Sequence, residues 1–288
     1  MSLTPLDKQA VRRSFEQAAT SYDQHAVLQR EVGNRLLERV AFFDHQPDVI
    51  LNLGSGTGDP ALAREFGKAS IISLDWSAAM LNASVKPSAQ GDWLVCADMH
   101  SLPLAARSVD LVFSNLALPW SNDLTSIFQE LRRVMKAGSL LAFSCYGPDT
   151  LMELKQAWRS VDDNPHVNDF PDMHDIGDEL VKSGFAEPVM DAEILTLEYP
   201  DVMSLLRELK STGSRNVASQ RSKGLTSRAK LQAVQQAYQQ YKRDECIPAS
   251  VEVSYGLTFA PAEGQPMRSG DGEVATFSID ALRKKPSR

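Results

Sequence analysis

Cysteine is scarce: three occur in 288 residues, Cys96, Cys145 and Cys246, far apart and with no CxxC pair. That spacing excludes a disulfide framework and predicts reduced, structural thiols in a reducing compartment. The five histidines, His25, His45, His100, His166 and His174, lack ligand spacing with one another or with the cysteines, so no metal site is expected. No apolar run approaches the roughly 20 residues that span a bilayer. Met1 to Lys8 holds no apolar h-region either, so neither a membrane association nor a signal peptide is expected, and the chain reads as cytoplasmic. Repeats and low-complexity tracts are missing. So is an excess of positive charge: the formal net charge of −7 argues against nucleic acid as a partner.

What is present is ordinary for a globular protein, with 43% hydrophobic and 23% charged residues, and the length suits one large domain or one domain with an insertion. The charge is unevenly spread. From Arg207 to Lys230 seven basic residues (Arg207, Lys210, Arg215, Arg221, Lys223, Arg228, Lys230) face one acid, Glu208. This segment reads either as a solvated helical face or as a docking surface for an acidic partner.

Along the chain, Thr4-Pro5-Leu6-Asp7 predicts a helix start with Thr4 as N-cap and Pro5 at the first helical position. Helical spacing through Val11, Phe15, Ala18 and Tyr22, then Leu28, Val32, Leu36 and Val40, predicts two helices broken near Thr20 to Asp23. Strand-like apolar runs follow at Val49–Leu53, Ile71–Asp75, Trp93–Ala97, Val109–Ser114 and Leu140–Cys145, separated by helix-length segments such as Asp123 to Met135. A helix from His174 to Ser183 is expected to end at Gly184, and further strands at Pro188 to Tyr199 and Val251 to Phe259. The alternation predicts an α/β fold with a doubly wound, mostly parallel, seven-stranded sheet. Helical stretches at Val202–Ser211 and Ser227–Tyr241 interrupt the alternation before the last strand. The expected organisation is an N-terminal helical cap (1–45), a core (46–199 and 249–260), a helical lid (200–248) and a tail (261–288). That tail reads as irregular apart from a short strand near Ala275 to Ile279.

One segment carries chemistry. Val49 to Leu53 runs into Gly54-Ser55-Gly56-Thr57-Gly58-Asp59-Pro60: a strand, a glycine turn and a capped helix start. The dinucleotide fingerprint GxGxxG would need its third glycine at position 59. Asp59 stands there instead, and a carboxylate at a helix N-terminus competes with a pyrophosphate for the positive dipole end. S-adenosylmethionine carries no phosphate, and its ammonium and sulfonium tolerate nearby acids. Asp75, Asp98 and Asn115 end three successive predicted strands, where open α/β sheets bind ligands. Asp75 suits the ribose hydroxyls, Asp98 with Met99 the adenine edge, and Asn115 the reacting methyl. The expected cofactor contacts are Gly54, Ser55, Gly56, Gly58, Asp75, Trp76, Met80, Asp98, Met99 and Asn115, and the chain reads as a class I S-adenosylmethionine-dependent methyltransferase.

The flanks resemble a particular group. Ser14 to Ala19, Tyr22-Asp23-Gln24-His25-Ala26, Leu28-Gln29-Arg30, Ser114 to Trp120, Gln156-Ala157-Trp158, Val161-Asp162, Pro165 to Asn168, Leu209 to Gly213 and Gly224 to Arg228 are similar to the malonyl-acyl-carrier-protein O-methyltransferase family of biotin synthesis. The resemblance runs from about residue 7 to 259. Asn52 stands where an acid is usual, Pro119 replaces a polar residue before Trp120, and the chain after Phe259 is long for the family. A second resemblance, to the mitochondrial complex I assembly arginine hydroxylase, lies in Asp149-Thr150-Leu151 and the insertion.

The first resemblance implies methyl transfer to the free carboxylate of a malonyl thioester, carried by malonyl-acyl carrier protein or malonyl-CoA. Such a carboxylate is already ionised, so no general base is required, and alignment in a dry pocket can supply roughly 7–11 kcal/mol. It implies a pocket of Tyr22 and His25 over the cofactor, with Asn115, Leu118 and Trp120 below; Tyr22, His25, Asn115 and Trp120 are the candidate catalytic residues. Arg207, Lys210, Arg215, Arg221 and Lys223 are the candidate docking residues for an acidic carrier, with Arg207 or Arg215 orienting the malonyl group. The alternatives are another small-molecule methyltransferase, or an arginine-modifying, complex I assembly factor-like protein that binds the same cofactor.

Overall fold

The computed structural model describes residues 3–84, 92–261, 267–269 and 272–274. Seven strands form one sheet in the order β3-β2-β1-β4-β5-β7-β6. They are β1 (Val49–Leu53), β2 (Ser70–Asp75), β3 (Trp93–Cys96), β4 (Val109–Asn115), β5 (Met135–Tyr146), β6 (Ala186–Tyr199) and β7 (Ile247–Phe259). The first five are parallel, and β7 runs antiparallel between β5 and β6. Both faces of the central strands are covered, which is why they read as unbroken apolar runs: Ile50, Leu51, Leu53, Leu111, Val112 and Phe113 are fully buried.

Helices α1 (Lys8–Ala18), α2 (Tyr22–His25) and α3 (Val27–Val40) precede β1. The crossovers carry α4 (Pro60–Glu65), α5 (Ala78–Ala83) and α6 (Leu124–Val134); α7 (Met152–Arg159) and α8 (Met173–Lys182) join β5 to β6. Between β6 and β7 lie α9 (Val202–Ser211) and α10 (Arg228–Tyr238). Caps explain several starts. Asp59 accepts from the Ala61 and Leu62 amides at 2.9 and 3.0 Å, and Asp123 from that of Ser126 at 3.0 Å. Gly184, at φ +82°, stops α8. Strand order reverses between β1 and β4, and the crevice this opens at their carboxyl ends is where α/β sheets hold ligands.

The N-terminus differs from expectation. The first helix starts at Lys8 with Asp7 as its cap, and not at Thr4. The reason is long-range: the Asp7 amide donates to the Val217 carbonyl at 2.8 Å, the Ser219 amide to the Pro5 carbonyl at 2.8 Å, and Leu6 exchanges two hydrogen bonds with the Asn122 side chain. Residues 5–7 are thereby held extended against 217–219. The expected break near Thr20 to Asp23 holds the single turn α2, so three helices stand where two were predicted. At the other end, Met267–Ser269 and Gly272–Val274 pair as an antiparallel hairpin in the stretch expected to be irregular, while the strand predicted at 275–279 lies outside the described residues.

Helices α7, α9 and α10 share an apolar cluster with β7, in which Trp158, Leu205, Val234, Tyr238 and Ile247 are buried. Asp162, just beyond α7, accepts from Lys230 of α10 and from His166, each at 2.7 Å. In the sheet, a Cβ at Gly256 would stand 2.2 Å from Cζ of the Phe143 ring on β5 and 2.8 Å from Met190 Sδ on β6. Overpacking of this kind costs about 1–3 kcal/mol. Gly256→Ala is therefore expected to lower the unfolding free energy measured in urea by that amount while leaving cofactor affinity unchanged below the transition, as calorimetric titration would show.

Candidate active site

At the crevice, the β1 strand ends in a turn whose Gly54, Gly56 and Gly58 all have positive φ, +68°, +55° and +93°. The Gly54 and Ser55 amides donate to the Leu74 carbonyl at 2.8 and 3.0 Å, which fastens the turn to β2. A Cβ on Gly54 would lie 2.2 Å from Cβ of Ala117, so the turn presses against the segment after β4. A Cβ on Gly56 would meet nothing within 4 Å; its backbone faces open space that a ligand can approach. Asp75, ending β2, accepts from the Gly56 amide at 2.9 Å and the Ser77 amide at 2.8 Å.

The cleft around these residues encloses about 850 Å³ of empty volume, part of it open to solvent. Asp98 lies at its far end. One of its oxygens accepts from both the backbone amide (2.9 Å) and ring Nδ1 (2.5 Å) of His100, whose Nε2 lies 2.8 Å from Ser121 Oγ. Burial alone would raise the Asp98 carboxyl, but these His100 contacts outweigh it and hold it below the usual carboxylate value. The second oxygen is left to accept from a ligand amine.

Asn115 closes the near end. Its Nδ2 donates to the Gln29 carbonyl of α3 at 2.8 Å, and its Oδ1 accepts from Ser144 Oγ at 2.9 Å. The next residue, Leu116, sits in the left-handed region at φ +53°, a conformation that costs a bulky residue of order 1–3 kcal/mol. It is held there by its amide's bond to Ser144 Oγ (2.9 Å) and by its carbonyl accepting from Trp120 Nε1 (3.1 Å). Trp120 in turn meets Phe15, Tyr146 and Phe170 edge-to-face, with centroids 5.1, 6.4 and 6.3 Å away.

A second, larger cavity, with about 1960 Å³ of empty volume, part of it open to solvent, lies behind this tryptophan. Its walls are largely apolar, with Leu151, Leu154, Trp158 and Phe170 on one side and Leu205 and Leu209 of α9 on another. Gln29, Trp120, Tyr146 and Ser214 border both spaces and mark where the two join. Burial pushes the pKa of the Tyr146 phenol up to about 12, against a lowering by the neighbouring Ser214 and Gln29 side chains. The Tyr22 phenol is also pushed up, by burial first and then by Tyr146, Asp75 and Asp23 nearby. Both tyrosines are neutral hydrogen-bond donors at physiological pH.

Of the residues the sequence pointed to, Tyr22, Gly54, Gly56, Asp75, Trp76, Met80, Asp98, Met99, Asn115 and Trp120 line the cleft. Four of the expected pocket residues do not. Leu118 is packed in the core. Gly58 borders a depression with Asn52 and Trp93, and the Ser55 hydroxyl is buried without a hydrogen-bond partner. His25 borders a surface recess with Arg207, Lys210 and Arg215. Of the basic residues, Arg221 is turned inward, to Asp7 at 3.3 Å and the Ala218 carbonyl at 2.9 Å, whereas Lys223 is exposed. Gln29, His100, Tyr146 and Ser214 were missed. Gln29 and Ser214 lie in or beside segments that carry the family resemblance, so position could have flagged them; His100 and Tyr146 left no signal beyond standing just past strand ends.

Comparison with known proteins bears on this site directly. A family model described as a methyltransferase domain matches residues 51–143. Malonyl-[acyl-carrier protein] O-methyltransferases are similar over most of both chains: that of Gallionella capsiferriformans is 48% identical, covering 89% of this chain and 92% of its own, and that of Halorhodospira halophila is 39% identical, covering 97% of each. The chain belongs to the malonyl-[acyl-carrier protein] O-methyltransferase family. It is an S-adenosylmethionine-dependent O-methyltransferase. Solved structures share the fold at low identity. The YcgJ protein of Bacillus subtilis aligns at TM-score 0.55 and 14% identity, covering 80% of this chain and 99% of its own. The [4+2]-cyclase SpnF aligns at 0.51 and 17%, covering 81% and 82%. A cyclase on the same fold shows why activity is argued from the site and the family, not the sheet.

The cleft fits the cofactor of such an enzyme. The open backbone at Gly56 admits a ligand, and the acids at the ends of β2 and β3 suit ribose hydroxyls and an exocyclic amine. Burial raises the Asp75 carboxyl above its usual value, against the lowering by the Ser77, Gly56 and Trp76 amides. The ionised form is the better acceptor for ribose hydroxyls, so affinity is full above that raised pKa and declines as pH falls through it. Asp98, shifted downward, stays ionised over the same interval. Calorimetric titration with S-adenosylhomocysteine between about pH 7 and pH 4.5 should show the decline beginning above the range of an exposed aspartate. Asp75→Asn should bind more weakly and lose that dependence.

Proposed function

We propose that the protein methylates the free carboxylate of a malonyl thioester, borne by acyl carrier protein or by coenzyme A, to give the malonyl methyl ester used in biotin synthesis, and that it acts in the cytoplasm. The observation that carries this reading is the junction between the cleft and the apolar cavity. Gln29, Trp120, Tyr146 and Ser214 supply amide, indole and hydroxyl groups there, and none of them is a base. An amine or alcohol acceptor would need its proton removed; a carboxylate needs only to be held and dried. The name borne by the relatives in several bacteria supports the same acceptor.

Bound by Asp75, Asp98 and the glycine turn, S-adenosylmethionine supplies a methyl group on a sulfonium. Tyr22 and Tyr146 donate hydrogen bonds to the substrate carboxylate, and Gln29 and Ser214 fix the Tyr146 phenol for that task. Trp120 forms the partition that keeps water from the reacting atoms. The apolar cavity takes the extended thioester arm. Residues 1–45 act as a cap that brings Tyr22 over the cleft, residues 200–248 as a lid over the cavity, and Arg207, Lys210, Arg215 and Lys223 draw an acidic carrier toward it. His25, at the recess beside Arg207, serves this basic surface better than the methyl site.

The direct test is mass spectrometry after incubation with cofactor and malonyl-acyl carrier protein. Stoichiometric S-adenosylhomocysteine and malonyl methyl ester are expected; methylation of arginine-containing peptides with none of malonyl thioester would refute the reading. Tyr22→Phe is expected to lower kcat/KM for malonyl-acyl carrier protein by about 10- to 100-fold, the loss of a hydrogen bond to a charged group. Its S-adenosylhomocysteine affinity should change no more than a few-fold.

A further inference from the structure

The segment Gly224-Leu225-Thr226 contains a residue that core packing does not explain. Leu225 is wholly exposed, more so than any other large apolar side chain among the described residues. Single exposed leucines are common, but this one stands on the rim of the apolar cavity, in the exposed loop Ser222–Thr226 that forms the cavity's outer edge. The inner end of the same cavity is the junction at Tyr146 and Trp120.

The charge around the rim is distinctive. Lys210, Lys223 and Arg228 are exposed, and none makes an ion pair within the described residues. Lys223 and Arg228 flank the apolar tip two and three positions away in the chain, and Lys210 lines the same cavity, in a chain that is acidic overall. An apolar anchor flanked by unpaired cations at a channel mouth matches a protein partner with an acidic face and a flexible thioester arm projecting from it. A second copy of this chain would bring its own cationic rim against this one and be repelled.

We infer that Leu225 is the apolar anchor on which the acyl carrier protein docks, with Lys223 and Arg228 engaging its acidic face and the Ser222–Thr226 loop forming the entrance for its arm. This inference rests on the proposed malonyl-thioester acceptor and adds which surface meets the carrier and where the arm enters. Arg221, paired with Asp7, is excluded from the docking set.

The experiment compares the full-length protein with Leu225→Asp, Leu225→Met and the double variant Lys223→Glu/Arg228→Glu on two probes: malonyl-acyl carrier protein, and malonyl-pantetheine, which has the arm without carrier or phosphate. Leu225→Asp and the double variant should each raise KM for the carrier substrate at least tenfold more than for malonyl-pantetheine, with little change in kcat, and Leu225→Met should restore near wild-type behaviour. Equal increases for both probes, or none for either, would overturn the inference. Fluorescence anisotropy with labelled carrier gives a reading independent of turnover: weakened carrier binding by Leu225→Asp is expected, and unchanged binding refutes the docking surface even in an enzyme whose acceptor proves different. Sedimentation decides the remaining occupant, since a wild-type dimer split by Leu225→Asp would assign the patch to a second copy.

Discussion

The site depends on one side-chain amide. Asn115, at the end of β4, gives its Nδ2 to the Gln29 carbonyl and its Oδ1 to Ser144, so one residue ties α3 to two adjacent strands of the sheet. The approach is possible because Gly33 of α3 has no side chain: a Cβ there would stand 2.9 Å from the Asn115 amide nitrogen and 3.2 Å from an Asp59 oxygen. A second bond, from Thr57 of the glycine turn to Asp23 of α2 at 2.5 Å, holds the same N-terminal segment to the cofactor loop. Tyr22 lies one residue before Asp23, and its position over the cleft follows from these two contacts. The Asn115 amide is thereby fixed at the cleft wall, with one N–H and one oxygen lone pair still open to a ligand.

The same strand end stores strain and uses it. Leu116 adopts its left-handed conformation because Ser144 and Trp120 hold its amide and carbonyl, and it leads the chain into Leu118–Trp120, a short 3-10 turn. That turn sets Trp120 between the two spaces. Ser121 follows directly and bonds His100, which holds Asp98. The acid after β3 and the indole after β4 are thus linked through His100 and Ser121, and a change in either is felt by the other through a few bonds.

Much of this was legible in advance. Five apolar runs marked five strands, because strands covered on both faces are mostly apolar; β5 nevertheless begins at Met135, before its run, and β3, at the edge of the sheet, is largely exposed. Asp59-Pro60 and Asp123 signalled their helices because capping is a local interaction, complete within four residues. The failures share the opposite property. The first helix begins at Lys8 because Asp7 bonds to Val217, a partner more than two hundred positions away that no local pattern encodes. The junction draws Gln29, Tyr146 and Ser214 from three distant segments, and periodicity says nothing about such convergence. Tyr22 and His25, three positions apart, read as a pair in the sequence; in the structure Tyr22 lines the cleft and His25 opens onto the recess beside α9.

The absence of a cation at the junction is as informative as the donors that are there. No cation is among the residues that border both spaces: Lys8 borders the cleft alone, and Lys210, Arg215 and Arg221 border the cavity but not the cleft. A reaction between a carboxylate and a cationic methyl donor consumes charge as it proceeds. A guanidinium beside the carboxylate would therefore stabilise the separated reactants more than the transition state, and raise the barrier. Neutral phenols can hold and orient the carboxylate while leaving most of its charge unneutralised. Their raised pKa values, set by burial, keep them protonated, and the dry walls strengthen the attraction that brings the two reactants together. Positive charge is useful farther out, on the solvent-facing rim, where it draws in an acidic carrier without touching the reacting oxygen. On this account the docking cations stand apart from the junction, so that charge sets which partner arrives and neutral donors set what happens to it.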